Sequence, residues 1–314
     1  MSVLALITNW DMDEWSHEMR AALPDIQVRG WPDLGDLSEI TYAAVWKPPA
    51  GLLATMPNLK IIFCLGAGVD ALLSDPTLPQ HIPVVRVVDD DLTTRMSEYV
   101  LLQVLMHHRE VRRLNSNQHA AKWDQFAAFA AKDFNVGIMG LGVLGQDAAQ
   151  KLLMMGYEVR GWSRTAKQIS GVECYSGKPE LENFLRGTDI LVCLLPSTPD
   201  TEGILNRQLF GQLSRKGPFG AGILINAGRG QLQNEADILS CLDDGTLHAV
   251  SLDVFNEEPL PANSKFWVHP SVMVSPHSAA DSNPKAICGY IANQVKKFED
   301  GSIVSNLVSK TNGY

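Results

Sequence analysis

A glycine-rich turn between two apolar segments constrains the fold of this chain more than any other feature. The turn, Gly140–Gly145, reads GLGVLG and fits the pattern GxGxxG. The strand-like segment Phe134–Met139 precedes it, a helical pattern over Gln146–Met155 follows, and Tyr157–Trp162 comes next as a second strand. This order is typical of the unit that binds a dinucleotide in α/β proteins, and it favours that interpretation over a purely structural glycine turn.

The turn has a physical reason for each glycine. The first glycine permits the tight turn, the second lets the backbone approach a pyrophosphate, and the third lets helix and strand pack closely. The N-terminus of the helix adds unpaired N–H groups and a partial positive charge. The predicted pyrophosphate contacts are Gly140, Gly142, Val143, Leu144 and Gly145.

The residues after the second strand indicate which dinucleotide binds. NAD-binding units carry Asp or Glu about 20 residues past the glycines, where the carboxylate binds the ribose 2′-hydroxyl. Here Ser163, Arg164, Thr165 and Lys167 follow the strand instead, and no carboxylate is near. Hydroxyl and guanidinium groups suit a 2′-phosphate, so we expect NADP(H), with NAD(H) at lower preference. The alternative is a solvated basic turn without a ligand.

The composition limits the class of protein. Of the 314 residues, 45% are hydrophobic and 19% charged, as in a globular protein with room for two domains. The net charge of −9 and the pI near 5.4 argue against nucleic acid or an anionic membrane as partners. The sequence also lacks a run of about 18 apolar residues and a basic N-terminal signal region, so we expect no membrane span and no secretion.

The cysteines predict a reduced, cytoplasmic protein. Their number is odd, they are widely spaced, and no CxxC pair is present to bind a metal, so no metal site is expected. They are Cys64, Cys174, Cys193, Cys241 and Cys288.

Strand-like and helical segments alternate along the whole chain, which predicts an α/β protein with two domains. Before the glycine turn, the strand-like segments are Val3–Thr8, Ile26–Val28, Tyr42–Trp46, Lys60–Leu65 and Val84–Val87. From the turn's own strand onward, they are Phe134–Met139, Tyr157–Trp162, Ile190–Leu195, Ile223–Asn226, Ala249–Val254 and Val272–Ser275. Helices are predicted over Asp13–Leu23, Ser97–Arg113 and Pro284–Glu299, and a helix that Asn234 caps and Gly245 ends.

The last helix follows the sixth strand and is expected to return to the first domain. The prediction is therefore two Rossmann-like or flavodoxin-like domains with doubly wound parallel sheets. A discontinuous substrate-binding domain would comprise residues 1–98 and 280–314, and residues 99–279 would bind the dinucleotide. The active site is expected in the cleft between the two domains.

Three polar side chains follow consecutive strands of the second domain, at the sheet edge where open α/β sheets bind ligands. Arg229 lies in Asn226–Gly230, Glu258 follows Asp253, and His277 comes after the sixth strand. A guanidinium holds a carboxylate and polarises a ketone, and a histidine gives a proton to the developing alkoxide. A carboxylate beside the imidazole fixes its tautomer and favours its protonated form. Taken singly, each residue has a structural alternative: a surface charge, a core histidine or a Glu-Pro turn.

With these motifs, the sequence resembles the D-isomer-specific 2-hydroxyacid dehydrogenase family along essentially its whole length. Within that family it is most similar to the glyoxylate/hydroxypyruvate reductase A group. The segments that carry the resemblance are Leu65–Asp70, Gly140–Gly145, Leu194–Thr201, Asn226–Gly230, Leu252–Phe255, Glu258–Pro261 and Pro276–His277. The spacing of 29 residues from Arg229 to Glu258 and of 19 more to His277 resembles that of the family.

The resemblance implies a role for each of these segments. Arg229 would bind substrate, Glu258 would assist, and His277 would act as acid and base. Asp253 would contact the nicotinamide amide. The substrate carboxylate would bind the backbone N–H groups of Ala67 and Gly68, which agrees with a glycine-rich turn acting as an anion nest. Further cofactor contacts are expected at Leu195, Pro196, Ala227 and Gly228.

Trp46 and the turn before the fourth strand of the second domain are two further features of the sequence. Trp46 resembles a pocket tryptophan that closes the substrate side, but an ordinary core or hinge aromatic is an equal alternative. Ser214–Gly220 looks longer than the family's usual turn, and we expect it to lie away from the catalytic end.

The leading hypothesis is an NADPH-dependent reductase that converts glyoxylate to glycolate and hydroxypyruvate to D-glycerate. The alternatives are a related dehydrogenase acting on another 2-oxo acid or on phosphite, and a non-catalytic nicotinamide-sensing protein similar to a co-repressor. The resemblance also implies a homodimer formed through the dinucleotide domain, with Gln118–Phe129 as a candidate contact.

Overall fold

The computed structural model describes residues 2–310, which contain twelve strands and nine α-helices. The strands are β1 (Val3–Ile7), β2 (Gln27–Gly30), β3 (Ile40–Val45), β4 (Ile61–Cys64), β5 (Val84–Arg86), β6 (Asn135–Met139), β7 (Glu158–Ser163), β8 (Glu173–Ser176), β9 (Ile190–Cys193), β10 (Gly222–Asn226), β11 (Leu247–Leu252) and β12 (Val272–Val274). The helices are α1 (Met12–Ala22), α2 (Asp70–Leu73), α3 (Asp90–His108), α4 (Val111–His119), α5 (Val143–Met154), α6 (Gly177–Arg186), α7 (Arg207–Phe210), α8 (Glu235–Asp243) and α9 (Pro284–Glu299).

The chain divides into two compact units. One unit runs up to Leu92 and resumes at Asp281, and the other is Thr93–Ala280. The first division falls inside α3, since Leu92 and Thr93 both belong to that helix. The functions expected of the two units, substrate binding and dinucleotide binding, stay predictions.

The first unit is built on a five-stranded sheet in the order β2-β1-β3-β4-β5, with every neighbouring pair parallel. This is the flavodoxin-like order. Strands are added to one side of β1 and then to the other, so the switch point of the strand order lies between β1 and β3. Leu4 and Leu6 of β1 belong to one hydrophobic cluster, whereas Val3, Ala5 and Ile7 belong to another. Both faces of the sheet are therefore buried, as parallel sheets require.

The second unit has seven parallel strands in the order β12-β11-β10-β9-β6-β7-β8. Here too side chains alternate between two clusters: Val136 and Ile138 of β6 lie in one and Met139 in the other. The order is that of a complete doubly wound dinucleotide domain with one strand added beyond β11. The predicted α/β fold with two parallel sheets is confirmed.

One strand of the second sheet was not predicted. β8 forms the edge beside β7, where Trp162 pairs with Tyr175. Its residues are half-buried or exposed, so they lack the apolar run that identifies an interior strand. Contacts from β7 hold it instead: Arg160 forms an ion pair with Glu173 at 2.7 Å and lies over the Tyr175 ring.

The bounds predicted for the long helix were wrong, because Ser97–Arg113 is part of two helices. α3 begins seven residues earlier, where the Asp89 carboxylate accepts hydrogen bonds from the N–H groups of Asp91 and Leu92 at 3.0 and 3.2 Å. Glu110 has a left-handed backbone (φ 50°) and separates α3 from α4. The cap predicted at Asn234 is confirmed, since its side chain accepts from the N–H of Asp237 at 3.1 Å.

Residues 2–310 were searched for membrane-spanning helices, disulfides and metal sites. None of the helices within residues 2–310 has the length and apolar character that a membrane span needs. The five cysteines carry free thiols, and four of them are buried. In the same part of the chain, no three His, Cys, Asp or Glu side chains are grouped so as to hold a metal ion.

The glycine turn generates a stability prediction. A Cβ added at Gly145 would lie 1.9 Å from the carbonyl oxygen of Gly140, whereas one added at Gly142 would meet nothing within 4 Å. We expect Gly145→Ala to lower the free energy of unfolding by about 1–3 kcal/mol, because the backbone must shift. The control Gly142→Ala should change it by less than about 0.5 kcal/mol. Urea unfolding of the ligand-free protein measures both, and equal stabilities of the two variants would contradict the packing described.

Candidate active site

The glycine turn lies where the strand order of the second sheet reverses, between β6 and β9. Gly140 has φ +108°, donates its N–H to the carbonyl of Trp162 at 2.9 Å, and approaches the backbone of Leu194 too closely for a Cβ. Gly142 caps α5 and has open space beside it. The N–H groups of the first helical turn have no acceptor within a helix. The turn is therefore closed toward the protein and open where a ligand anion can approach.

The turn after β7 presents three polar side chains to solvent. Arg164, Thr165 and Lys167 are exposed, while Ser163 is buried and its hydroxyl donates to the carbonyl of Thr165 at 2.8 Å. The Ser163 proton is thus engaged within the turn, where it fixes the backbone that carries the three exposed side chains. No carboxylate lies in this turn, as the sequence indicates.

Four further predicted cofactor contacts lie in two loops that touch each other. Leu195 and Pro196 follow β9, and Ala227 and Gly228 follow β10. A Cβ on Gly228 would lie 2.7 Å from the carbonyl oxygen of Leu195, so only glycine permits this approach. The hydroxyl of Thr201 donates to the carbonyl of Pro196 at 2.7 Å and holds the loop after β9. The four residues share the sheet edge with the glycine turn.

A network of buried side-chain amides holds the loop that carries Arg229. The side chain of Asn226 donates to Gln233 at 2.8 Å and to the carbonyl of Arg229 at 3.1 Å. Gln233 in turn donates to the carbonyl of Val254 at 3.0 Å. Because Asn226 and Gln233 are buried, these bonds are costly to break and hold the loop in one conformation.

The loops of Arg229 and Glu258 are also in direct contact. A Cβ on Gly230 would lie 1.9 Å from the carbonyl oxygen of Phe255, and the Phe255 N–H donates to Glu258 at 3.0 Å. Arg229 is half-buried and its Nη1 donates to the carbonyl of Gly228 at 2.8 Å. The guanidinium therefore lies on a loop packed against the one that bears the carboxylate.

Glu258 and His277 form the central pair of the site. The Nδ1 atom of His277 lies 2.8 Å from Oε2 of Glu258, and both side chains are partly exposed. With Nδ1–H facing the carboxylate, Nε2 is the nitrogen left to exchange a proton with a substrate. The structure thus brings together two of the three predicted catalytic side chains and places the third on an adjoining loop.

Asp253, predicted to meet the nicotinamide amide, is 1% exposed and bound to its own chain. Its Oδ1 accepts from the hydroxyl of Ser275 at 2.6 Å and from the N–H of Ser278 at 3.0 Å, and its Oδ2 accepts from the N–H of Ala279 at 3.0 Å. The carboxylate therefore anchors the loop that carries His277. Sequence reasoning missed Ser275, since a serine next to Pro276 gives no signal of its own.

In the first unit, Ala67 and Gly68 follow β4 as predicted. Within residues 2–310, the N–H groups of Gly66, Ala67 and Gly68 donate no hydrogen bond. Successive unpaired amides at the carboxyl end of a strand form a concavity suited to an anion.

Trp46 lies against this turn, since a Cβ on Gly66 would be 2.3 Å from its ring. It stacks on Trp10 with ring centroids 5.1 Å apart, a contact that sequence reasoning missed because Trp10 follows a different strand. Trp46 is half-buried, and its role in a pocket stays a prediction.

Comparison with known proteins identifies the family. The model of the family described as D-isomer specific 2-hydroxyacid dehydrogenase, NAD binding domain, matches residues 101–279, more than half of the chain. The chain therefore belongs to the D-isomer specific 2-hydroxyacid dehydrogenase family and is an oxidoreductase that acts on CH–OH groups. The family resemblance seen in the sequence is confirmed.

Similar proteins from three organisms are described as glyoxylate/hydroxypyruvate reductases. The Photorhabdus laumondii protein described as glyoxylate/hydroxypyruvate reductase A is 40% identical over 310 residues, which cover 97% of each chain. The Yersinia enterocolitica protein of the same description is 38% identical over 319 residues and the full length of both chains. An NADPH-dependent glyoxylate/hydroxypyruvate reductase from Sinorhizobium meliloti, solved with NADP and sulfate, is 47% identical, with a TM-score of 0.95 over 100% of this chain and 99% of that one.

Proposed function

We propose that this protein reduces small 2-oxo acids with NADPH, converting glyoxylate to glycolate and hydroxypyruvate to D-glycerate. The observation that carries the proposal is the pair of His277 and Glu258 at 2.8 Å, with the loop of Glu258 packed against that of Arg229. The descriptions of the relatives from three organisms support the choice of substrates, and that of the Sinorhizobium meliloti enzyme supports the choice of NADPH.

The residues around the glycine turn fit NADP(H). The open space beside Gly142 and the N–H groups at the start of α5 suit a pyrophosphate, and the turn after β7 offers cations without a carboxylate. NADPH, when bound, supplies the hydride that reduces the carbonyl carbon. The proposed contacts are Gly140, Gly142, Val143, Leu144 and Gly145 for the pyrophosphate, Ser163, Arg164, Thr165 and Lys167 for the 2′-phosphate, and Leu195, Pro196, Ala227, Gly228 and Asp253 for the nicotinamide half.

The protein's own residues perform the rest of the reaction. Arg229 binds the substrate carboxylate and polarises the ketone, which stabilises negative charge on the carbonyl oxygen. His277 gives its Nε2 proton to that oxygen as the C–H bond forms, and the neutral imidazole takes a proton back from water afterwards. Glu258 fixes the tautomer and stabilises the imidazolium before transfer. In the first unit, the N–H groups of Ala67 and Gly68 are proposed as further carboxylate donors, and Trp46 as a wall that favours short substrates.

His277→Ala tests the proton donor. We expect kcat with glyoxylate to fall about 10²- to 10⁴-fold, the usual contribution of a general acid, while NADPH affinity stays unchanged. Stopped-flow absorbance at the nicotinamide band measures turnover, and fluorescence titration measures binding. His17→Ala, an exposed histidine on α1, is the matched control. Wild-type turnover in His277→Ala would remove this residue from the mechanism.

A substrate panel tests the reductase activity itself. Initial rates with glyoxylate, hydroxypyruvate, pyruvate and a branched 2-oxo acid, each with NADPH and NADH, should give the highest kcat/KM for the first two with NADPH. Phosphite with NADP⁺ tests the alternative chemistry. A maximum at another substrate would make the protein a different dehydrogenase of the family. Cofactor binding without oxidation on any oxo acid would favour the nicotinamide-sensing alternative.

Arg164→Asp tests the 2′-phosphate site. The substitution replaces a charge-assisted hydrogen bond, which contributes about 1.5–3 kcal/mol, with repulsion. The ratio of kcat/KM for NADPH to that for NADH should therefore fall at least about tenfold. Arg215→Asp, an exposed arginine of the same unit, makes the same change in net charge and should leave the ratio alone. An unchanged ratio in Arg164→Asp would refute the site.

The proposed assembly is a homodimer, with Gln118–Phe129 as part of the contact. Trp123 in this segment is 94% exposed, and Leu102 and Leu114 on α3 and α4 are exposed nearby along the chain. A second copy would cover these apolar side chains.

The base of the segment is held by aromatic packing. Phe129 contacts Phe134 and Phe219 with ring centroids 6.1 and 5.9 Å apart, and its carbonyl lies 2.8 Å from Nε2 of His108. Phe219, in the turn before β10, stacks on His248 at 4.4 Å. The turn Ser214–Gly220 thus lies at the amino end of β10, opposite the site. An anchored base with an exposed Trp123 supports a contact surface rather than a loose loop.

Trp123→Asp tests the dimer. A charge in a buried apolar contact is costly, so we expect a shift from dimer to monomer in sedimentation velocity at micromolar concentration. Ile303→Asp, at a residue that is 90% exposed in the other unit, should leave the dimer intact. A monomeric wild type, or a Trp123→Asp dimer of wild-type affinity, would reject this contact.

The proposed location is the cytoplasm. The five free thiols suit a reducing compartment.

A further inference from the structure

The backbone of His277 is in a conformation that needs support from its surroundings. Its φ of 53° lies in the left-handed region, which costs an L-residue free energy relative to the extended or helical regions. Its neighbours Pro276 and Ser278 are exposed, so they supply little packing. Hydrogen bonds to the loop must therefore hold it in place.

Asp253 supplies most of these bonds. The N–H of His277 donates to the main-chain carbonyl of Asp253 at 2.8 Å, and the next two N–H groups donate to the two carboxylate oxygens at 3.0 Å. Because the carboxylate is buried, its charge requires donors, and these amides together with a hydroxyl provide them. Any change in the position of Asp253 is thus transmitted to three consecutive residues, one of which is His277.

The third donor to the carboxylate of Asp253 belongs to a chain of hydroxyl groups. The hydroxyl of Ser275 donates to Oδ1 at 2.6 Å, and the hydroxyl of Tyr99 lies 2.8 Å from the same serine oxygen. Since the serine proton points at the carboxylate, the tyrosine must be the donor to the serine. Burial raises the pKa of Tyr99, with the charge of Asp253 adding to the effect, so its hydroxyl keeps its proton.

We propose that Tyr99 and Ser275 are positioning residues for His277, acting through the buried carboxylate of Asp253. Tyr99 lies on α3, which further polar contacts hold to the same unit: Ser97 bonds to Asp147 of α5, and His107 lies 2.8 Å from Ser251 of β11. The tyrosine is therefore a fixed point from which the serine and the carboxylate are oriented.

The consequence for catalysis rests on the proposed function. Glu258 holds the imidazole ring through Nδ1, while the chain from Tyr99 holds the backbone to which the ring is attached. A proton donor displaced by even a fraction of an ångström loses rate steeply, whereas the proposed pyrophosphate and 2′-phosphate contacts lie on other loops, after β6 and β7, and stay in place. The chain should thus act on kcat rather than on binding.

Hydroxyl deletion in the full-length protein tests the proposal. Ser275→Ala removes a charge-assisted hydrogen bond and should lower kcat with glyoxylate about tenfold or more, and Tyr99→Phe should lower it about two- to tenfold. The KM for NADPH should change far less than kcat in both, because the pyrophosphate and 2′-phosphate contacts lie on other loops. Ser275→Thr, which keeps the hydroxyl, should restore the rate. The double variant should lose no more than Ser275→Ala alone, because both side chains act along one chain.

Tyr157→Phe is the matched control. This buried tyrosine of the same unit bonds to a histidine, with its hydroxyl 2.7 Å from Nδ1 of His108, and it directly precedes β7, at the sheet edge opposite the loop of His277. We expect its kcat to equal that of the wild type. Equal losses in Tyr99→Phe and Tyr157→Phe, a rise in KM in place of a fall in kcat, or additive losses in the double variant would each overturn the proposal.

A second measurement is independent of turnover. The Nδ1 proton of His277, bound to Glu258, should give a downfield NMR resonance that disappears in Glu258→Gln. In Ser275→Ala it should broaden or shift, and in Ser275→Thr it should return. If the wild type fails to reduce oxo acids, the proposed function fails, while this resonance still decides the positioning role: an identical signal in Ser275→Ala overturns it.

Discussion

The parallel register of β9 to β12 is the constraint on which the rest of the site depends. Parallel strands end at the same edge of a sheet, so the loops after β9, β10, β11 and β12 all emerge side by side. These loops carry, in order, Leu195, Arg229, Glu258 and His277. Groups that are distant in the sequence therefore come within hydrogen-bonding reach without any long connection that has to be ordered separately.

Close backbone contacts then convert this neighbourhood into a fixed geometry. Gly228 and Gly230 let one loop touch the loops on either side, at Leu195 and at Phe255, where any Cβ would collide. The buried side chains of Asn226 and Asp253 supply the hydrogen bonds that the bent backbones need. Close backbone contacts at glycines and buried polar side chains thus set the positions of the partly exposed Arg229, Glu258 and His277.

Much of this arrangement can be predicted from the sequence, for identifiable reasons. The interior strands are short apolar runs, and the glycine turn and the Asn234 cap have local signatures, so each was recognised from its own residues. β8 was missed because its stability comes from Arg160 and Trp162 of the neighbouring strand. The start of α3 was misplaced because Asp89 caps it within a run of three aspartates, where no single residue stands out.

The contacts that sequence reasoning missed in the site share one property: they join residues far apart in the chain. Tyr99 and Ser275 are separated by 176 positions, and Trp10 meets Trp46 across two strands. Neither residue type signals its partner, since a tyrosine on an apolar helix face and a serine before a proline are both common. These contacts can be identified only from the three-dimensional structure, in which the strand order brings the two segments of each pair together.

The aromatic stack at the turn before β10 has a consequence for how this family diversifies. Phe219 is presented by a turn, yet it fills space beside Phe129, Phe134 and His248. A turn too short to present this ring would leave a gap beside Phe129, Phe134 and His248. We therefore expect the length of that turn and the composition of residues 118–129 to change together over evolution, as one inherited module.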